Sequence, residues 1–67
     1  MTFVEYYNSK DAIGQMVLAD KIAKKTMTSD WTVKYSWATG RTVPTLPKQA
    51  VIQSLIGIPA SELFPER

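Results

Sequence analysis

The sequence predicts an all-α fold, a compact bundle of four to five helices that contains a helix-turn-helix. Apolar residues recur at three- and four-residue spacing in successive stretches, as on the buried faces of helices. Glycine and proline stand at the ends of these stretches, where helices stop and start. No pair of alternating segments indicates a sheet. The helices are expected over residues 2–8, 10–25, 29–39, 47–56 and 59–64.

Length and composition limit the function. Sixty-seven residues allow a single domain, 1–67, with a thin core that buries about 60% of the unfolded surface. The absence of cysteine and histidine excludes disulfides, Cys/His zinc sites and histidine acid–base chemistry. The glycines are scattered and form no phosphate loop, and the carboxylates lack metal-ligand spacing. We therefore expect no enzyme, cofactor, metal or small-molecule substrate; only lysine-based catalysis remains compatible with this composition.

Hydropathy indicates a soluble, cytoplasmic protein. No apolar run approaches the roughly 20 residues needed to span a bilayer, and no basic segment followed by an apolar core opens the chain.

Positive charge is concentrated in the middle of the chain. The net charge is only +2, but residues 21–48 carry six lysines and arginines against the single carboxylate of Asp30. Such asymmetry is typical of proteins that bind polyanions, although a solvated lysine-rich face has the same composition.

Two helices are expected before the turn. Thr2 is a candidate N-cap for a short helix with Phe3 and Tyr7 on one face, a short strand being the alternative. Tyr6 and Tyr7 are expected in the core or at a dimer contact. Asn8 or Ser9 can cap the next helix, whose wide apolar face contains Ala12, Met16, Ala19 and Ala23. Met27 is expected to fill the corner before the following helix.

The 29–39 helix is the central element of the prediction. Thr28 or Ser29 can cap it, and Asp30 suits the positive end of its dipole. Val33 and Trp37 are four apart and form its inward stripe. Gly40 is placed to end it in a left-handed conformation.

The C-terminal helices complete the bundle. Pro47 and Gly57 mark the start and stop of a helix with Val51, Leu55 and Ile52 inward. Leu63 and Phe64 of the last helix are expected to close the bottom of the core.

The segments Trp37-Ala-Thr-Gly40-Arg41-Thr-Val-Pro44 and Leu55-Ile-Gly57-Ile-Pro-Ala-Ser-Glu62-Leu63-Phe64-Pro65 occur in the order and separation typical of one family. Over residues 18–65 the chain resembles lambda-repressor-like (Cro and repressor class) helix-turn-helix domains. The resemblance implies a four- or five-helix bundle and sequence-specific binding of double-stranded DNA, often as a homodimer, by transcription regulators of phages, bacteria and mobile elements. Val33 and Trp37 are one residue further apart than in that family, which indicates an extra residue in the helix or at its end.

On this interpretation the 29–39 helix enters the major groove. Arg41 and Thr42, with Lys48 nearby, suit phosphate contacts. Trp31 is open between a DNA contact and packing on the preceding helix. The expected DNA-binding residues are Ser29, Trp31, Thr32, Lys34, Tyr35, Arg41, Thr42 and Lys48.

The alternative is a protein-interaction module on the same fold, such as an antitoxin or adaptor subunit. In that case Trp31, Tyr35, Tyr6 and Tyr7 form the partner surface, and few lysines or arginines surround them.

Overall fold

A computed structural model describes residues 1–65 and is all-helical in that range, as predicted. The helices are α1 (Phe3–Asn8), α2 (Ala12–Thr26), α3 (Asp30–Thr32), α4 (Leu46–Ile56) and α5 (Ala60–Leu63), and α3 continues directly into a π-helical turn, Val33–Trp37. The strand alternative for the first segment is therefore wrong. Within residues 1–65, no helix combines the length and the apolar character needed to cross a bilayer.

Side-chain caps begin the first two helices. Thr2 and Glu5 form a reciprocal capping box at α1, which confirms Thr2 as its N-cap. Asp11, rather than Asn8 or Ser9, caps α2: its Oδ1 accepts from the Gly14 amide at 2.7 Å. The Ser9 hydroxyl instead donates to the Tyr6 carbonyl at the end of α1.

Gly14 makes the α2 cap fit. A Cβ at this position would lie 3.0 Å from the Asp11 Oδ1 and 3.2 Å from the Lys10 Cβ. The absence of a side chain therefore lets the capping segment close over the first turn of α2.

The core is formed by side chains of α1, α2, the π turn, α4 and α5. The predicted inward residues Val33, Trp37, Leu63 and Phe64 are buried. Phe3 packs against Phe64 with ring centroids 5.5 Å apart, which joins the two ends of the described chain. The core contains Phe3, Tyr7, Ala19, Ile22, Ala23, Val33, Trp37, Ala38, Ile52, Leu63 and Phe64.

Two predicted inward faces differ from the structure. In α4, Ile52 is fully buried, whereas Leu55 is exposed and Val51 only half-buried, because α4 presents a narrow face to the core. In α2, Met16 is exposed and Ala12 lies at the surface. The core reaches only the second half of this helix, from Ala19 onward.

Three residues, Met27 to Ser29, connect α2 to α3. Met27 does not fill the corner: it is 94% exposed and adopts a left-handed conformation with φ 58°. This conformation ends α2, since the Met27 amide donates to the Ala23 carbonyl. Met27 therefore adopts the left-handed conformation that glycine usually adopts at the end of a helix.

The π turn accommodates an extra residue in the third helix. The Ala38 amide donates to the Val33 carbonyl, five residues earlier, at 2.9 Å. The side chains of Val33 and Trp37, four residues apart, are both buried across this widened turn. Gly40 follows with φ 78°, in the left-handed conformation predicted for it.

Candidate functional site

The first turn of α3 is closed by the Ser29 side chain, which caps the backbone and pairs with the Thr32 hydroxyl. Ser29 is the N-cap, and its Oγ accepts from the Thr32 amide at 3.3 Å. The Ser29 Oγ also lies 3.0 Å from the Thr32 Oγ1. These two predicted site residues therefore bond to each other at the helix start, which uses part of the hydrogen-bonding capacity of each hydroxyl.

Trp31 and Tyr35 form an aromatic pair on the outward side of this helix. Their ring centroids lie 5.6 Å apart with a tilt of 50°. Trp31 is 61% exposed and Tyr35 is 54% exposed, so Trp31 is not buried against α2. Because Val33 and Trp37 anchor the opposite side of the helix in the core, these two rings lie on its outward side.

Asp30 and Lys34 form a second pair beside the aromatic one. The Lys34 Nζ lies 3.6 Å from the Asp30 Oδ2, one helical turn away. The Lys34 side chain is partly buried, whereas that of Asp30 is largely exposed. A cation and an anion are thus held next to each other at the edge of the outward face.

A groove separates this helix from α1 and α2. It has a volume of about 500 Å³, and Tyr7, Met16, Lys34 and Tyr35 are among the residues that line it. Burial raises the pKa of the Tyr7 phenol above its ordinary value, and the positive charge of Lys34 partly opposes this effect. The Tyr7 hydroxyl therefore remains a neutral donor well above neutral pH.

Arg41 and Thr42 lie beyond the π turn, in the loop that leads to α4. Both are exposed and line a different groove of about 920 Å³, together with Val43, Leu46 and Phe64. The Thr42 amide donates to the Ser36 carbonyl at 3.1 Å, which joins the loop to the π turn. Lys48 is half-buried in the first turn of α4.

The predicted site residues therefore fall into two neighbourhoods. Lys34, Tyr35 and Trp31 share the outward face of the third helix, and Arg41 and Thr42 share the loop after it. Among residues 1–65, neither Arg41 nor Lys48 takes part in an ion pair. These two cations are thus available to an anionic ligand.

Two further residues, Asp30 and Tyr7, shape this surface. The sequence-based prediction assigns Asp30 only to the helix dipole, although its four-residue spacing from Lys34 signals an ion pair. Tyr7, expected in the core or at a dimer contact, is buried in the core, and it also lines the groove beside Lys34. No sequence signal links Tyr7 to Lys34, because the two residues meet only through packing.

The part of the chain that the structure describes holds no group of three acidic, cysteine or histidine side chains suited to a metal ion. Comparison with protein-family models, with curated proteins and with solved structures finds no match to this chain.

Proposed function

We propose that the protein binds double-stranded DNA sequence-specifically and regulates transcription, as a helix-turn-helix domain of phage or mobile-element type. The helix formed by α3 and the π turn enters the major groove. The supporting observation is the two-sided character of this helix: Val33 and Trp37 are buried, while Trp31 and Tyr35 project outward. A helix so anchored presents a rigid outer face, as groove binding requires.

The connection to α2 suits this function. A three-residue turn between two helices is typical of the helix-turn-helix, in which the first helix supports the second against the DNA backbone. The major groove is about 12 Å wide and admits one helix. The exposed rings of Trp31 and Tyr35 suit apolar contacts to thymine methyl groups and sugars.

The cations suit phosphate contacts. Arg41 extends from the loop after the π turn, and Lys48 lies in the first turn of α4. Lys34 retains donors for a base or a phosphate, but its ion pair with Asp30 lowers its net contribution to phosphate binding. Each phosphate that is neutralised contributes about −0.9 to the slope of log K against log salt.

Anisotropy of a labelled random duplex, measured at two salt concentrations, tests the proposal. We expect micromolar or tighter binding in low salt that weakens steeply as salt rises. The double variant Lys34→Glu/Arg41→Glu should lose most of this binding while it keeps its helical spectrum. Absence of binding by the wild type in low salt would refute the proposal.

Lys10→Glu/Lys21→Glu is the matched control. It changes the net charge by the same amount, but both lysines line a separate groove on the far flank of α2, with Val17 and Leu55. If the control loses as much affinity as the test variant, binding reflects overall charge rather than the proposed face.

A protein-interaction module, for example an antitoxin or adaptor subunit, is the second candidate. The exposed Trp31–Tyr35 pair favours it, because tryptophan and tyrosine are enriched in protein interfaces and the nearest lysine is already paired with Asp30. Duplex affinity that is unchanged in Lys34→Glu/Arg41→Glu would favour this candidate over the first.

A homodimer remains part of the proposal. Regulators that bind DNA as symmetric pairs recognise two half-sites about one helical turn apart. Sedimentation with and without a duplex of two half-sites measures whether a second copy joins.

A further inference from the structure

The first turn of α3 leaves few groups able to contact a base. The Ser29 hydroxyl accepts from the Thr32 amide and pairs with the Thr32 hydroxyl, so both hydroxyls are engaged within the turn. The other side chains on this face are those of Asp30, Trp31 and Tyr35, which are exposed, and that of Lys34, which is partly exposed; of these four, Asp30 and Lys34 carry a charge. Asp30 and Lys34 are therefore the polar groups best placed to distinguish one base pair from another.

A carboxylate selects among base edges because it only accepts hydrogen bonds. The donors in the major groove are the N4 amino group of cytosine and the N6 amino group of adenine. The other polar atoms there, guanine O6 and N7, adenine N7 and thymine O4, are acceptors and repel a carboxylate. Asp30 therefore disfavours any position at which it faces a guanine.

The neighbouring ammonium decides between the two amino groups. In a C·G pair, the cytosine amino group lies at one side of two adjacent guanine acceptors. In a T·A pair, the adenine amino group is flanked by acceptors on both sides, thymine O4 and adenine N7, so a carboxylate there meets repulsion twice. A carboxylate beside a single ammonium matches the C·G pattern.

The distances agree with this match. The Lys34 Nζ and Asp30 Oδ2 atoms lie 3.6 Å apart. Cytosine N4 and guanine O6 are hydrogen-bonded to each other, at roughly 3 Å. Both contacts can therefore form at one base pair without separating the ion pair.

We propose that Asp30 and Lys34 together read one C·G base pair, with the Asp30 carboxylate accepting from cytosine N4 and the Lys34 ammonium donating to guanine O6. The inference rests on the DNA-binding function proposed above. The Asp30 carboxylate also repels nearby phosphates. At sites without the C·G pair no hydrogen bond to cytosine compensates for this repulsion, so Asp30 weakens binding there.

Asp30→Asn tests this assignment. The amide has the same shape as the carboxylate but both donates and accepts, and it bears no charge. In selections from random duplexes, the wild type should enrich a site with one strongly preferred cytosine, by about tenfold or more over guanine. Asp30→Asn should lose the preference at that position alone, while its affinity for random duplexes rises.

Asp20→Asn is the matched control. Asp20 pairs with Lys24 four residues later at 3.1 Å, and its side chain is 57% exposed, against 59% for Asp30. The control therefore removes the same charge and the same kind of ion pair from α2. It should leave the selected sequence unchanged.

The outcomes separate the two proposals. Salt-dependent duplex binding with the same cytosine preference in wild type and Asp30→Asn, or with no cytosine preference at all, would overturn the assignment and leave DNA binding intact. Loss of the preference in Asp20→Asn as well would also overturn it. Failure of the wild type to bind duplex DNA would overturn both.

Discussion

At the scale of single residues, the two tryptophans have opposite roles. Trp37 is 5% exposed and lies in the core, whereas Trp31 is 61% exposed. The sequence predicted the first role from the four-residue spacing to Val33. It left the role of Trp31 open, because the position of Trp31 along the helix is the same whether its ring is exposed or packed against α2. Only packing distinguishes them.

We expect Trp37→Ala to destabilise the protein by about 3–5 kcal/mol, because truncating a buried aromatic residue leaves a cavity. A domain of this size has a total stability of roughly 3–10 kcal/mol, so the variant should be largely unfolded or close to it. Trp31→Ala, the control, should change the free energy of unfolding by less than about 0.5 kcal/mol. Urea denaturation followed by circular dichroism measures both; equal losses would contradict the structure.

Met27 is the second residue whose role depends on backbone conformation. Its side chain is almost fully exposed and its φ is 58°, a conformation that costs an L-residue about 1–2 kcal/mol. Glycine adopts this conformation without that cost, although it loses more entropy on folding. We expect Met27→Gly to raise the free energy of unfolding by about 0.5–1 kcal/mol.

Met16→Gly provides the comparison for this substitution. Met16 is also exposed but lies inside α2, where glycine costs about 1 kcal/mol. The same chemical change should therefore stabilise at one position and destabilise at the other in denaturant titrations. Destabilisation at both positions would mean that Met27 contributes packing that its exposure does not indicate.

At the scale of helices, the sequence predicted which elements exist better than which side chains they bury. Helix ends carry local signals, and Thr2 and Gly57 cap α1 and α4 as predicted. Gly40 has the predicted left-handed conformation but lies two residues beyond Ala38, the C-cap of the π turn. Burial depends on which part of a helix other helices cover. Met16 and Leu55 have apolar helical spacing and are nevertheless exposed, because nothing in the sequence reports where the core ends.

The spacing of Val33 and Trp37 predicts an extra residue in the helix or at its end, but it does not predict a π turn. In the structure the Ala38 amide donates to the Val33 carbonyl, five residues earlier. A π turn behaves as a one-residue insertion in an α-helix. Removing one residue from it should therefore restore α-helical bonding and keep both anchors on one face, now three apart.

We expect deletion of Ser36 to leave a folded protein whose free energy of unfolding falls by no more than about 1–2 kcal/mol. Deletion of Lys21 from α2 is the control. It rotates Ile22, Ala23 and Thr26 by about 100° relative to the preceding turns and should abolish cooperative unfolding. Circular dichroism and thermal melting compare the two; complete unfolding of the Ser36 deletion would show that the widened turn is required for the fold.

At the scale of the whole molecule, three elements meet at Tyr7, and its ionisation couples global stability to alkaline pH. Burial raises the pKa of Tyr7 in the folded state, so the folded protein holds this proton more tightly than the unfolded chain does. The contribution of this proton to the free energy of unfolding is fully present below the ordinary tyrosine pKa of about 10. It is lost as pH rises through the folded pKa.

Tyr7→Phe should therefore show a weaker fall in stability above pH 10 than the wild type, measured by urea denaturation at several pH values. Identical pH profiles for Tyr7→Phe and the wild type would mean that Tyr7 ionises as freely in the folded state as in the unfolded chain.

The candidate site was less predictable than the fold for a reason that also belongs to the whole molecule. Proximity along the chain groups Lys34 with Arg41 and Lys48, yet Lys34 lines one groove and Arg41 lines another. The sequence predicts that Ser29 and Thr32 face a ligand, whereas in the structure their hydroxyls pair with each other. Local spacing predicts neighbours within one helix, whereas relations between helices depend on the packed bundle.

The placement of the two indoles equips the protein with separable optical signals. The Trp37 ring sits among apolar side chains and should emit at short wavelength until the chain unfolds, while Trp31 should emit in the red-shifted range of a hydrated indole. Iodide in solution can quench only the second. In Trp31→Phe the remaining fluorescence comes from Trp37 and therefore reports folding alone. The difference between the wild-type and variant spectra gives the emission of Trp31, which lies on the outward face, where a bound ligand would alter it first.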